Sequence, residues 1–513
     1  MNATARLAVD STLLAEAAYR WPVVATTLLA CAFALVLQTA FKTTHLADLP
    51  LVGAEYGGKE SRRKKFMNGE AKNLYLDGYK KRNVLTIHSV KFKERAFRIT
   101  TARKSTNIVV APKFMDELKR LPDDVLSFNK ALEEVRAHDC IGWLNAVISE
   151  EVVEAMRIEL PQSCEWTEVK ILDKLMRIVG MVSGRVFIGP ELCRNDTYLE
   201  ASVNYTVDFM SAVRKVASIP PYLRPILASR TSEVKRVRKR IAEAGTFLNP
   251  VVTARREAAA NPDYQKPDDV LQWLLESQEK FGQKDDTYLA KCELSLSFAA
   301  IHTTSTTTTN ALYTLSAMPE FVAVLREDVQ QALAETNGVF TSIAMQNMKK
   351  LDSFLKECMR HYALGPVSFQ RQVLKTFTLS NGQVIPAGTV IEVPSIGIYT
   401  DEAFFPDADK FDPLRFYKLR QAKKEQKTGS KQAEVVANSQ FISVGQTSLT
   451  FGYGRHACPG RFFAVNEIKM IMANLLLNYD FMNVGGSRER YPNLESGAMS
   501  YPDPNRVILL KKL

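Results

Sequence analysis

Apolar residues recur at helical spacing through most of residues 110 to 360, and short alternating runs break that rhythm in two places. Val84 to Phe92 (VLTIHSVKF) and Ala96 to Ala102 (AFRITTA) alternate between apolar and polar positions and predict strands ahead of the helices. Farther along, Phe377 to Leu379 and Val384-Ile385 flank an Asn381-Gly382 turn and predict a hairpin, with Thr389 to Val393 as one more strand. Long helical stretches run from roughly Asp286 to Met318 and from Arg461 to Leu477, with another over residues 138 to 160. Residues 418 to 440, rich in Lys, Gln, Ser and Ala, predict a solvated insertion. The pattern as a whole predicts a mainly α fold with a small β region.

One run departs from this amphipathic pattern. Trp21 to Phe41 holds no charged residue, and as a helix it spans about 30 Å, the thickness of a bilayer core. Lys59, Arg62, Arg63, Lys64 and Lys65 beyond it outnumber Arg6 and Arg20 before it, which places the bulk of the chain in the cytosol. No Gly/Ser or Pro linker divides the chain after residue 60. The expected organisation is a lumenal tail at 1–20, a transmembrane anchor helix at 21–41 and a linker at 42–60. One catalytic domain then fills 61–513, at the endoplasmic reticulum membrane. Seven scattered cysteines with no C-x-x-C pair exclude a disulfide framework and a structural zinc site. The net charge of +11 suits anionic lipid or an acidic protein partner, and no nucleic-acid-binding motif accompanies it.

The segment Phe451-Gly452-Tyr453-Gly454-Arg455-His456-Ala457-Cys458-Pro459-Gly460 sets a cysteine directly ahead of a helical run. Pro459 suits the first turn of a helix, where its missing N–H loses no partner, so Cys458 is expected to cap the helix start. The N–H groups and the helix dipole at that end favour a thiolate. Gly452, Gly454 and Gly460 allow a tight loop whose amides approach the sulfur. A buried unreactive cysteine would not need those glycines.

These residues resemble the cysteine loop of the cytochrome P450 family, F-x-x-G-x-[R/H]-x-C-x-G, through Phe451, Gly454, His456, Cys458 and Gly460. The resemblance implies the P450 fold, with haem b between a long central helix and the cysteine loop and Cys458 as axial ligand of its iron. Such a thiolate donates electron density that promotes O–O cleavage. It also implies that Phe451 and Gly452 lie beside the thiolate and that His456 binds a haem propionate. Two upstream motifs extend the likeness over nearly the whole chain. Glu357-Cys358-Met359-Arg360 puts a carboxylate and a guanidinium three residues apart on one helix face. By the resemblance, Arg415 of Pro413-Leu414-Arg415-Phe416 joins them in a structural ion network, and Arg371, shortly after Gly365-Pro366, is a second propionate candidate.

Phe298-Ala299-Ala300-Ile301-His302-Thr303-Thr304-Ser305 resembles the family's oxygen-binding helix, A-G-x-[D/E]-T-T, with Ala299 and Thr303 on pattern. Threonine hydroxyls bond back to carbonyls one turn earlier and open a groove. The resemblance then implies that Thr303, followed by Thr304, hydrogen-bonds the oxygen being activated. Ala300 replaces the usual glycine and His302 the usual acid, and an imidazole there can relay protons or be structural. Phe298, Ala299, Ala300, Val367, Ser368 and Phe369 are uncharged, as a pocket for a lipophilic ligand should be.

Within the family the chain looks most like fungal microsomal enzymes of secondary metabolism. That likeness implies a monooxygenase inserting one oxygen atom of O2 into a terpenoid, meroterpenoid or polyketide-derived compound. Electrons then come from NADPH through NADPH-cytochrome P450 reductase, with cytochrome b5 as a further partner. A haem-thiolate isomerase or multi-step oxidase is the alternative reading, and a haem-binding sensor a third. Arg461 and Lys469, just past the cysteine, are expected to meet an acidic reductase.

Overall fold

The computed structural model describes residues 26, 46, 49–80, 95–101, 106–127, 144–282, 286–422 and 438–513. Its helices of eight or more residues are α1 (Ala71–Lys80), α2 (Leu144–Glu159), α3 (Ile171–Phe187), α4 (Asp196–Ser218), α5 (Ser232–Ala258) and α6 (Val270–Lys280). They continue with α7 (Asp286–Ser316), α8 (Glu320–Ala334), α9 (Lys349–His361), α10 (Arg415–Ala422) and α11 (Arg461–Asn478). Short polar side chains set several starts by accepting from the first N–H groups, which have no partner inside the helix. Asn195 accepts from Thr197 and Tyr198 at 2.9 and 3.2 Å to open α4, and Asp269 accepts from Gln272 at 2.8 Å to open α6.

At 1.5 Å per residue α7 runs about 46 Å. It is buried along most of its length and packs against α3, α4, α5, α9 and α11. A helix with polar threonines on several faces survives there because the hydroxyls are satisfied inside the helix. Thr307, Thr308, Thr309 and Thr314 each donate to the carbonyl four residues back, at 2.7 to 2.9 Å.

The strands are β1 (Phe97–Ile99), β2 (Asn107–Val109), β3 (Leu126–Ser127), β4 (Thr167–Val169), β5 (Ser368–Val373) and β6 (Phe377–Thr378). They continue with β7 (Val384–Ile385), β8 (Val390–Val393), β9 (Tyr479–Asn483), β10 (Asn493–Ser496), β11 (Met499–Pro502) and β12 (Ile508–Lys512). The expected β6–β7 hairpin forms, with Gly382 at φ 84° in its turn. β8 does not extend it. All four of its residues are buried, and it inserts between β2 and β5 in a five-stranded sheet of order β1-β2-β8-β5-β3, parallel to β2. Burial on both faces suits a central strand better than a hairpin edge.

The anchor run 21–41 and the strand expected at Val84 to Phe92 lie outside the described residues. Among the described residues no helix is long and apolar enough to cross a membrane. The linker expected at 42–60 is too long: Leu49 and Val52 are 2% and 4% exposed, and the Arg98 amide donates to Pro50 at 2.7 Å. The catalytic unit therefore begins by residue 49, because apolar side chains there are needed to cover β1 and α1.

Candidate functional site

A cavity of about 640 Å³ gathers residues from distant parts of the chain, including Cys458, His456 and Phe451 of the cysteine loop and Arg371 of β5. The loop closes on itself, the Cys458 amide donating to the Phe451 carbonyl at 2.7 Å. Gly452 and Gly454 sit at φ 78° and 72°, a region that side chains avoid, and a Cβ on Gly452 would come 3.4 Å from the His456 carbonyl. Side chains staple the loop to the segment between β2 and β3. Tyr453 donates to Asp116 at 2.9 Å, Arg455 pairs with Asp123 at 2.9 Å, and His456 Nε2 meets Asp123 at 3.2 Å.

Cys458 is not the helix cap. Gly460 holds that position, and α11 starts at Arg461. The chemistry expected of a cap survives in another form, since the Gly460 and Arg461 amides point at the sulfur. Cys458 is exposed only in the sense that it opens onto the cavity; the protein around it still pushes the thiol above its ordinary value. The two amides and the Arg461 charge pull the other way without cancelling that burial. A metal cation bound at the sulfur would favour the thiolate further.

Between α9 and the segment before α10 lies a buried ion network. Arg360 forks onto Glu357 with two bonds of 2.8 Å, and Arg415 Nε adds a third at 3.0 Å. Side-chain exposures of 0, 3 and 9% for Glu357, Arg360 and Arg415 rule out a surface pair. The remaining guanidinium N–H groups reach carbonyls of Tyr399, Ala408, Pro406 and Asp407, so the network stitches α9 to the loop before α10. Such charges are tolerable only because every one is paired and hydrogen-bonded.

On α7, two faces separate the residues that adjoin one another in sequence. Phe298 and His302, four apart, turn to α4: Phe298 meets Phe209 edge-on at 5.2 Å, and His302 Nε2 meets the Val203 carbonyl at 2.9 Å. Burial pulls the His302 pKa down, against that bond. Ala299 and Thr303 form the next face and are exposed on a helix otherwise largely buried, with Thr303 donating to the Ala299 carbonyl at 2.7 Å. Thr307, one turn on, lines a small cavity with Thr450, the residue before Phe451, so this face runs on toward the cysteine loop. Thr304 is 2% exposed and does not join Thr303, and Ala300 packs toward the core. Of the proposed proton-handling trio, the structure thus keeps Thr303 on the open face and turns His302 and Thr304 away.

Val367, Ser368 and Phe369 line the main cavity as expected. Arg371 is 4% exposed, and burial with the nearby Arg455 charge lowers its pKa to about 10. Sequence reasoning missed the Glu392 corner of the same cavity, where the carboxylate accepts from Tyr75 and, at 3.1 Å, from Gln370. A lone acid inside the apolar strand β8 was the available signal. Lys469 cannot serve a docking partner: it is 3% exposed and its ammonium contacts Asp352 at 3.2 Å. Arg461 stays at the surface, with Nη1 on the Cys458 carbonyl at 2.9 Å.

These residues fit a haem. A soft sulfur ligand lies in a loop that aims amides at it, and a guanidinium and an imidazole on the same cavity can take carboxylates.

Comparison with known proteins agrees. Residues 142–509 match the family model for cytochrome P450. Cytochrome P450 monooxygenase ATR3 of Stachybotrys chlorohalonatus is 38% identical over 80% of this chain and 89% of its own length. Cytochrome P450 monooxygenase BOA4 of Botryotinia fuckeliana is 34% identical over 81% and 86%, and braC of Annulohypoxylon truncatum 31% identical over 93% and 95%. The chain belongs to the cytochrome P450 family, oxidoreductases that use a thiolate-bound haem to incorporate oxygen from O2.

Proposed function

We propose that this chain inserts one oxygen atom into a C–H bond of a lipophilic fungal secondary metabolite, terpenoid, meroterpenoid or polyketide-derived, with electrons from NADPH through a membrane reductase. The observation that carries this reading is the open Ala299–Thr303 face of α7, whose hydroxyl is held 2.7 Å from a carbonyl of its own helix. An isomerase would need the thiolate but not a hydroxyl presented on an open face of α7. When bound, the haem supplies O2 activation. Cys458 would hold the iron, Arg371 and His456 would take the cofactor's carboxylates, and Thr303 Oγ1, now on the Ala299 carbonyl, would be the hydroxyl that turns to hold a proton on the open face of α7. Phe369 and Val367 give the pocket an apolar wall that excludes water from that step.

A membrane site of action suits a lipophilic substrate. The apolar run 21–41 supports an anchor in the endoplasmic reticulum. So does an exposed turn between α4 and α5, where Tyr222 and Ile226 are 77% and 55% exposed beside Arg224 and Arg230. The test is incubation of microsomes containing the protein with candidate lipophilic substrates, with and without NADPH, followed by mass analysis. An oxygenated product that appears only with NADPH is expected. Product without NADPH would replace this reading with the isomerase.

A further inference from the structure

We infer that Phe369 is a positioning residue whose ring sets the Arg371 guanidinium in the cavity wall, poised for an anionic group of the cofactor. β5 and β8 pair Ser368 with Val393 and then Arg371 with Ile391, three steps on one strand against two on the other. One extra residue therefore bulges from β5, and bulges re-aim the side chains beside them. Phe369 occupies that bulge at φ 55°, in the left-handed region where glycine costs least and a bulky aromatic is an outlier.

A side chain kept where glycine would be easier calls for a contact that needs it. The Arg371 guanidinium supplies one, its carbon lying 4.3 Å from the Phe369 ring centroid, well within the range in which a ring face attracts a cation. Both residues are 4% exposed, and both line the cavity that holds Cys458. Arg371 Nη1 also donates to the Gln370 carbonyl at 2.8 Å, so the bulge residue's ring and the next carbonyl hold one guanidinium from two sides. Restraint is needed there, because the nearby Arg455 charge works against a second cation.

This inference rests on the haem reading, and in particular on Arg371 as a partner of the haem carboxylates. The experiment is a double-mutant cycle on the rate at which the full-length, haem-loaded protein loses haem to excess apomyoglobin. Arg371→Lys loses the planar stacked cation, and Phe369→Leu loses the ring. A cation–ring contact of this kind predicts that Phe369→Leu speeds haem loss about 2- to 30-fold. It further predicts that the double variant is no faster than the faster single one, and that Phe369→Tyr restores the wild-type rate. Rates that multiply in the double variant would overturn the positioning role and leave Phe369 as an independent wall. If Arg371→Lys alone matches wild type, the carboxylate role of Arg371 fails instead. Phe369→Gly, whose backbone tolerates φ 55°, serves the same cycle should the leucine variant not fold.

Discussion

Around Cys458 almost every group is fixed by backbone or ionic bonds, whereas the Ala299–Thr303 turn of α7 is held by hydroxyls that can change partner. The cysteine loop is closed by its own amide and stapled through Asp116 and Asp123, and Glu357 is held by two arginines. Among the described residues Thr303 has only the carbonyls of its own helix, at 2.7 and 3.3 Å. The difference suits the two tasks proposed for them: a ligand must not move when its metal changes charge, while a proton donor has to move between acceptors.

The largest effect expected from breaking the fixed side is at the ligand. Cys458→Ala should abolish the thiolate-type Soret band of the reduced carbon monoxide complex, and a retained band would refute the assignment. Next comes the Glu357 network. Glu357→Ala strands two buried guanidiniums, at a cost on the order of 3 to 5 kcal/mol, and Arg360→Ala removes two of the three guanidinium bonds to Glu357. The expected product is apoprotein or no folded protein, and normal haem content in purified Glu357→Ala would contradict it.

On the mobile side, Thr303→Ala should fold and bind haem normally but lower product per NADPH by about 10²-fold, with hydrogen peroxide taking up the electrons. Thr303→Ser should recover most of the coupling. Unchanged coupling in the alanine variant would move proton delivery elsewhere.

The smallest effect is expected at His302. His302→Gln can still donate to the Val203 carbonyl, so coupling should stay near wild type and stability should change by about 1 kcal/mol or less. Its folded pKa lies below the unfolded value of about 6.5, so the unfolded chain takes up protons first as the pH drops. Stability from the neutral imidazole is complete above pH 6.5 and is lost as pH falls through the folded pKa. Urea midpoints between pH 7 and 5 should therefore drop less in His302→Gln than in wild type. A turnover deficit of 10² in that variant would restore the relay role.

Much of this was legible in advance. The positions of Gly452 and Gly454, the three-residue spacing of Glu357 and Arg360, and the extents of α7 and α11 were all readable before any coordinates. Each depends on backbone conformation or on helix pitch within a few residues, and these are local properties of the chain. The sequence put Phe298, Ala299 and Ala300 together in one pocket, whereas the structure sends Phe298 with His302 to α4 and Ala300 toward the core. Which face would meet α4 was not local, and neither was the burial of Lys469 against Asp352 on a helix with apolar residues on every side.

The sequence by itself determined the chemistry of the site: a cysteine in a glycine-rich loop at a helix start, a threonine helix, and a Glu–Arg pair awaiting a second arginine. Only the tertiary structure decided where those groups face. It placed β8 between β2 and β5, brought Glu392 against Tyr75 and Gln370, bulged Phe369 toward Arg371, and turned His302 to the Val203 carbonyl. Each outcome pairs residues from separate elements, and the choice of partner is set by which apolar faces can be buried together. That balance is struck over the whole core and not within any one segment.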